Sequence, residues 1–210
     1  MMIEHLASKP DRAGRYLVRY DDGTTMRLYR QTVEDHGLYP GLELTEEQVA
    51  RLRVDAGQMS AKMRAVRIVA AANVSEDDLR QRLIRKGEDP GQAAEAVAWM
   101  ADLKLVDDRE TAAQIVSRCA AKGYGIARAK QALYEKRIPK EYWAEALEDY
   151  PDQTEKIVEF LRARLSDDAD ERDRKRAIDA LLRRGHSYGD IRQALRKLDI
   201  EDEFREEYNG

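Results

Sequence analysis

The sequence predicts a mostly α-helical protein. It reads as a tandem array of three three-helix, helix-turn-helix-like repeats, elongated, behind a small N-terminal β-hairpin and helix cap. Three observations predict this. Beyond Ala61 no stretch reads as a strand, and apolar residues recur at helical spacing. Three helix stops, Asn73, Gly123 and Gly185, are each followed two residues later by an acceptable N-cap: Ser75, Gly125 and Ser187. Six residues past each stop comes Leu79, Ala129 or Ile191, and four further on always leucine: Leu83, Leu133, Leu195. Such an i, i+4 pair lies on one helix face, so the second helix of each repeat presents the same seam.

The cap comprises residues 1–57. Tyr16–Tyr20 and Thr25–Tyr29 carry aromatic and large apolar residues around Asp21-Asp22-Gly23-Thr24. An Asp-Gly pair between such runs predicts a type I′ hairpin, whose two turn positions both need positive φ. Thr32-Val33-Glu34-Asp35 reads as a capping box for a short helix stopped at Gly37. Thr45-Glu46-Glu47-Gln48 is a second box, for a helix running to about Asp55 and ending at Gly57. Ala56 to Ala61 is then the expected hinge. The repeats follow at 61–108, 109–152 and 153–210. Their third helices are expected near Pro90–Leu103, Pro139–Glu148 and Glu201–Tyr208, with proline tolerated in a first turn.

Charge alternates with the same period. Lys62–Lys86, Arg109–Lys140 and Arg172–Lys197 are net basic by four, six and six, and the third-helix stretches are net acidic by five or six. The overall charge of −4 therefore hides an ordered pattern. Either opposite charges pair between solvated helix faces, or each repeat offers one basic edge and the edges line up as a stripe.

The composition excludes several classes of chemistry. One cysteine, Cys119, forms no intramolecular disulfide and suits a reducing compartment. The three histidines, His5, His36 and His186, lack metal-ligand spacing. No apolar run approaches a membrane span and Met1–Lys9 has no signal-peptide pattern, so a cytoplasmic protein with no membrane contact is expected. There is no phosphate-binding loop, nucleophile elbow or paired-cysteine motif. Asp107 and Asp108 read as helix caps, Cys119 as a buried hydrophobe and His186 as a turn residue. The expectation is a protein that is not an enzyme and carries no cofactor and no metal.

The informative stretches are Leu105-Val106-Asp107-Asp108-Arg109, Lys122-Gly123-Tyr124-Gly125, Lys136-Arg137-Ile138, Ser75–Gly87, and Arg183-Arg184-Gly185-His186-Ser187 with Ile191 and Leu195. In these the chain resembles the RecX family of bacterial modulators of the RecA recombinase. Tyr16–Ala56 resembles an N-terminal extension found in some members. Thr111, Arg137 and His186 depart from the family pattern, which usually has an aromatic, a glycine and a bulky apolar residue there. The resemblance implies a monomer that binds the RecA–DNA filament in its helical groove. It would inhibit ATP hydrolysis, strand exchange and co-protease activity, and so modulate recombination, DNA repair and the SOS response.

The residues expected to meet RecA, or single- or double-stranded DNA weakly through phosphates, are mostly on second helices. They are Arg80, Arg82, Arg85 and Lys86, then Arg128 and Lys130, then Arg192 and Arg196. Arg118, Lys122, Arg183 and Arg184 flank them, with Arg109 and Tyr124 as further candidates; Tyr124 reads also as corner packing. The alternative is an independent helical DNA-binding protein acting through its basic second helices. The acidic third helices and the lack of a helix dense in Arg, Asn and Gln speak against base readout.

Overall fold

The computed structural model describes residues 1–165 and 169–209, with side chains as far as Leu198. It forms two compact units that divide between Val106 and Asp107.

The first unit opens with a three-stranded antiparallel sheet, β1 (Ile3–Leu6), β2 (Arg15–Tyr20) and β3 (Thr25–Tyr29), in that order. β2 and β3 are the expected hairpin, with Tyr16 opposite Leu28 and Val18 opposite Met26. The turn differs from the expected one. Only Gly23 has positive φ (79°); the Gly23 amide donates to the Tyr20 carbonyl and the Thr24 amide to the Asp22 carboxylate. The Asp22 carboxylate does locally what a second left-handed residue would do in type I′. β1 escapes the sequence reading because a register shift between Ile3 and His5 interrupts its period-two pattern.

β3 runs directly into α1 (Arg30–Asp35), whose N-cap is the extended Tyr29 with no side-chain cap bond. The box expected at Thr32 is therefore absent: Thr32 lies inside the helix and is buried. The second box forms as expected. Thr45 Oγ1 accepts from the Gln48 amide at 3.2 Å, and the Thr45 amide donates to Gln48 Oε1 at 2.8 Å.

That box starts α2 (Glu46–Ala71), which passes unbroken through Gly57, so the hinge expected at Ala56–Ala61 is instead mid-helix. A Cβ on Gly57 would lie 2.4 Å from the side-chain amide of Gln92, so glycine here admits a close neighbour. Glycine inside a helix costs about 1 kcal/mol. Burial on both sides outweighs it: Val49 and Leu52 pack on the sheet, and Ala61, Ala65 and Ile68 pack under α3 (Glu76–Arg85) and α4 (Pro90–Asp102). Each large apolar side chain so buried contributes roughly 1.5–3 kcal/mol. Cap and first repeat thus share one helix.

The second unit contains α5 (Asp108–Ala121), α6 (Ile126–Glu135), a 3₁₀ turn (Lys140–Tyr142) running into α7 (Trp143–Leu147), α8 (Thr154–Arg162), α9 (Glu171–Arg183) and α10 (Tyr188–Asn209). The expected caps at Ser75 and Ser187 form, each hydroxyl accepting an amide three residues on at 3.1 Å. Leu79, Leu83, Ala129, Leu133 and Ile191 are buried as the seam requires. In α10 the seam shifts: Ala194 and Leu198 are buried, while Leu195 is half-buried.

The separate helix expected at Glu201–Tyr208 is the C-terminal stretch of α10, and its side chains lie outside the described residues. The corresponding positions in the earlier repeats carry Gly87 and Pro90, or Pro139; nothing between Lys197 and Glu201 breaks a helix. The third helix of this core is α8, which supplies Ile157, Val158 and Leu161 against α9 and α10. Among the described residues no helix is long and apolar enough to cross a membrane.

Candidate functional site

Two corners of the second unit meet. α5 ends at Lys122 and turns through Gly123 (φ 67°); α9 ends at Arg184 and turns through Gly185 (φ 87°). The Gly125 amide donates to the Arg184 carbonyl at 2.9 Å, and the Ala127 amide to the Gly185 carbonyl at 3.3 Å. The free carbonyls ending α9 thus satisfy free amides at the start of α6, and opposite dipole ends adjoin. Gly125, although it stands at the N-cap, has no side-chain bond to offer. It serves by close approach: a Cβ there would lie 2.0 Å from the Gly185 oxygen, and one on Gly185 would lie 2.3 Å from the Arg128 nitrogen.

His186 fills the seam between the corners. It is 5% exposed, and its Nε2 donates to the Gly123 carbonyl at 3.0 Å. Burial lowers its pKa below the ordinary imidazole value, which keeps the ring neutral. The residue therefore packs as a largely buried ring and adds one hydrogen bond. Behind it, the Tyr150 hydroxyl donates to the Tyr124 carbonyl at 2.7 Å, and burial pushes that phenol up to about 12. Lys156 Nζ donates to the Ala120 and Ala121 carbonyls at 2.7 and 3.1 Å, capping the end of α5.

This scaffold holds a basic, aromatic surface. The Arg184 guanidinium lies over both the Tyr124 ring, 5.5 Å from its centroid, and the Phe160 ring, at 5.0 Å; Arg164 lies over Phe160 at 4.4 Å. With Arg128 and Arg183 they line a concavity of about 370 Å³ with no carboxylate in its walls. Arg128 is tethered by Glu135 at 3.0 Å; Arg183 has no ion-pair partner among the described residues. Stacking on a ring orients a guanidinium and leaves its N–H edge for an external anion. The site is suited to phosphate or carboxylate recognition.

Of the residues expected from sequence, the fold brings together Lys122, Tyr124, Arg128, Arg183 and Arg184. Tyr124 answers to both of its readings: its carbonyl is tied into the corner and its half-buried ring carries Arg184. Lys130, Arg192 and Arg196 are exposed elsewhere on α6 and α10, and Arg118 on α5 reaches Gln114 at 3.3 Å. Arg109 is held by Glu145 of α7 at 2.6 Å. In the first unit, Arg80 pairs with Asp77, Arg82 with Asp78 at 2.9 Å, Arg85 donates to the Gln81 carbonyl, and Lys86 is exposed. Charge pairing thus absorbs part of the basic pattern and leaves the rest open.

Sequence reasoning missed Lys156, Phe160 and Arg164, all on or just after α8. The apolar spacing of Ile157, Val158 and Leu161 was the available signal. Asp107 caps α5, accepting from the amides of Arg109 and Glu110 at 2.9 and 3.1 Å. Cys119 is buried, and desolvation raises its thiol pKa. Among the described residues no group of His, Cys, Asp and Glu is placed to hold a metal ion.

A family model described as "RecX, second three-helix domain" matches residues 107–147, the stretch that builds one of the two corners. The protein named "Regulatory protein RecX" of Xanthomonas axonopodis pv. citri (strain 306) is 31% identical over 142 residues, covering 66% of this chain and 87% of that one. The chain belongs to the RecX family. Its similarity to the RecX of Clostridioides difficile (strain 630), 26% identical over 208 residues, spans 96% of both chains. The fold is that of RecX crystal structures. One matches with a TM-score of 0.64 over 91% of this chain and 98% of its own at 21% identity. The RecX of Lactobacillus salivarius matches with 0.61 over 69% and 97% at 23% identity. Arg137 has φ 57° and bears the left-handed strain a glycine would avoid.

Proposed function

We propose that this protein is a noncatalytic regulator that binds the RecA–DNA filament and inhibits its ATPase, strand-exchange and co-protease activities. Family membership supports RecA as the partner. The observation that carries the contact surface is the carboxylate-free concavity in which Arg128, Arg164, Arg183 and Arg184 surround two aromatic rings. Its partner is an anionic surface of the filament, either acidic side chains of RecA or DNA phosphates. Arg192, Arg196 and Lys130 extend the contact along α10 and α6. Differential affinity for one filament state would stop turnover without any chemistry by the regulator.

The test is the single-stranded-DNA-dependent ATPase of the cognate RecA, with this protein titrated in below one per RecA. Wild type should inhibit. The Arg164→Glu/Arg183→Glu variant, which alters two exposed side chains, should lose inhibition while keeping its helical circular dichroism. Full inhibition by that variant would remove this surface from the mechanism. No inhibition by wild type at excess would refute the filament reading itself.

A further inference from the structure

The first unit carries a second basic concavity. Arg15 of β2, Arg64 and Arg67 of α2, and Arg82 and Lys86 at the end of α3 line one open cavity of about 520 Å³. Tyr29, Ile68 and Ala71 are among its other lining residues, and no carboxylate is. Three of the cations are paired from outside the cavity: Arg15 with Asp11 at 2.9 Å, Arg64 with Glu88 at 2.7 Å, Arg82 with Asp78 at 2.9 Å. Arg67 is held by neutral groups, the Tyr29 hydroxyl and the Ala13 carbonyl, the latter at 3.3 Å. The Lys86 ammonium has no ion-pair partner among the described residues, although the Lys86 carbonyl accepts from Arg64 at 2.7 Å. Two positive charges are therefore left uncompensated in a wall whose remaining cations are fixed in place.

We propose that this concavity binds the phosphodiester backbone of a nucleic-acid strand. The cations come from one strand and two helices and face a common trough, so a narrow, extended polyanion meets several of them at once. The Arg67 guanidinium and the Lys86 ammonium supply the positive charge for phosphate oxygens, and the apolar part of the lining accepts a sugar or base between phosphates. The cavity has far more room than one inorganic phosphate fills. Because three of the cations are already oriented by their carboxylates, little side-chain ordering remains to be done on binding. The site also gives the N-terminal sheet a role, since Arg15 and Tyr29 belong to it. This inference rests on the nucleic-acid part of the function proposed above and is independent of the recombinase part.

The test uses the full chain and a fluorescent oligothymidylate, with affinity measured by anisotropy over a series of salt concentrations. Arg67→Gln/Lys86→Gln removes the two uncompensated charges and leaves all three ion pairs. The slope of log K against log salt should become shallower by ~1.4, that is ~0.7 for each single-strand phosphate no longer neutralised, with binding weakened about tenfold or more at low salt. If the double variant fails to fold, the exposed Lys86→Gln alone decides, with a slope change of ~0.7. Unchanged slope and affinity in a folded variant would overturn the proposal. So would a variant that loses binding of inorganic phosphate, followed calorimetrically, while binding the oligonucleotide like wild type. RecA ATPase run in parallel keeps the two readings apart. Weakened strand binding supports this site even where wild type fails to inhibit RecA, an outcome that sinks only the filament reading.

Discussion

Replacing Gly185 by alanine tests the corner-to-corner contact on which the candidate site is built. The backbone there has φ +87°, and the new Cβ would lie 2.3 Å from the Arg128 nitrogen and 2.7 Å from its Cβ. A left-handed alanine costs about 1–2 kcal/mol, and forcing a methyl into closed packing costs about 1–3 kcal/mol more. Relief requires the corners to part, which breaks the Gly125–Arg184 and Ala127–Gly185 backbone bonds, each contributing about 1 kcal/mol. A loss of about 3–5 kcal/mol is expected, a large fraction of the roughly 5–15 kcal/mol that holds a domain folded. Gly87 is the control: its φ is +89°, but nothing lies within 4 Å of an added Cβ. Gly87→Ala should therefore cost only the left-handed term of about 1–2 kcal/mol. Trp143 reports on the second unit and Trp99 on the first, so single-tryptophan backgrounds (Trp99→Phe or Trp143→Phe) separate the two in urea titrations. With a slope of about 2 kcal/mol per molar urea, Gly185→Ala should lower its unit's midpoint by about 2 M. A shift no larger than that from Gly87→Ala would refute the interlocked corners.

Two further outcomes follow from the same unit. His186 has its folded-state pKa lowered from 6.5, so the folded protein binds fewer protons than the unfolded chain. Its contribution to stability is present above pH 6.5 and is lost as pH falls from there through the folded pKa. The Trp143 midpoint of wild type should thus drop between about pH 7.5 and pH 5.5 by more than that of His186→Gln, and equal drops would remove His186 as the cause. Arg137→Gly should relieve left-handed strain and raise the stability of the second unit by about 0.5–1 kcal/mol after allowing for glycine's greater unfolded-state entropy; a lower urea midpoint would contradict the strain assigned to Arg137.

Local rules that involve only neighbouring residues were legible in the sequence. The Thr45–Gln48 box, the caps at Ser75, Asp107 and Ser187, the stops at Gly123 and Gly185 and the leucine seam at Leu83 and Leu133 depend on spacings of three or four residues along one chain, and they form, while at Leu195 the seam shifts to Ala194 and Leu198. The mostly helical fold and the family motifs follow from such patterns. Gly57 shows where this ends. In sequence it resembles a helix stop, but packing on both ends of α2 and the approach of Gln92 carry the helix through it. The same limit applies to β1, whose pairing partner and bulge lie outside any local window.

The sequence by itself determined which residues are cationic and that those of the second helices, such as Arg128 and Arg192, sit on helices, because composition and 3.6-residue periodicity are properties of one strand of chain. Only the tertiary structure decided which of those cations are spent on ion pairs, as in Arg109 and Arg80, and which gather around rings, as Arg164 and Arg184 do around Phe160. It also decided why Gly125 and Gly185 are both glycines: the two positions, 60 apart in the chain, occupy the same few ångströms, where a side chain on Gly125 would meet the Gly185 backbone and one on Gly185 would meet the Arg128 backbone. Contacts across such separations arise from packing, which no spacing rule along the chain encodes.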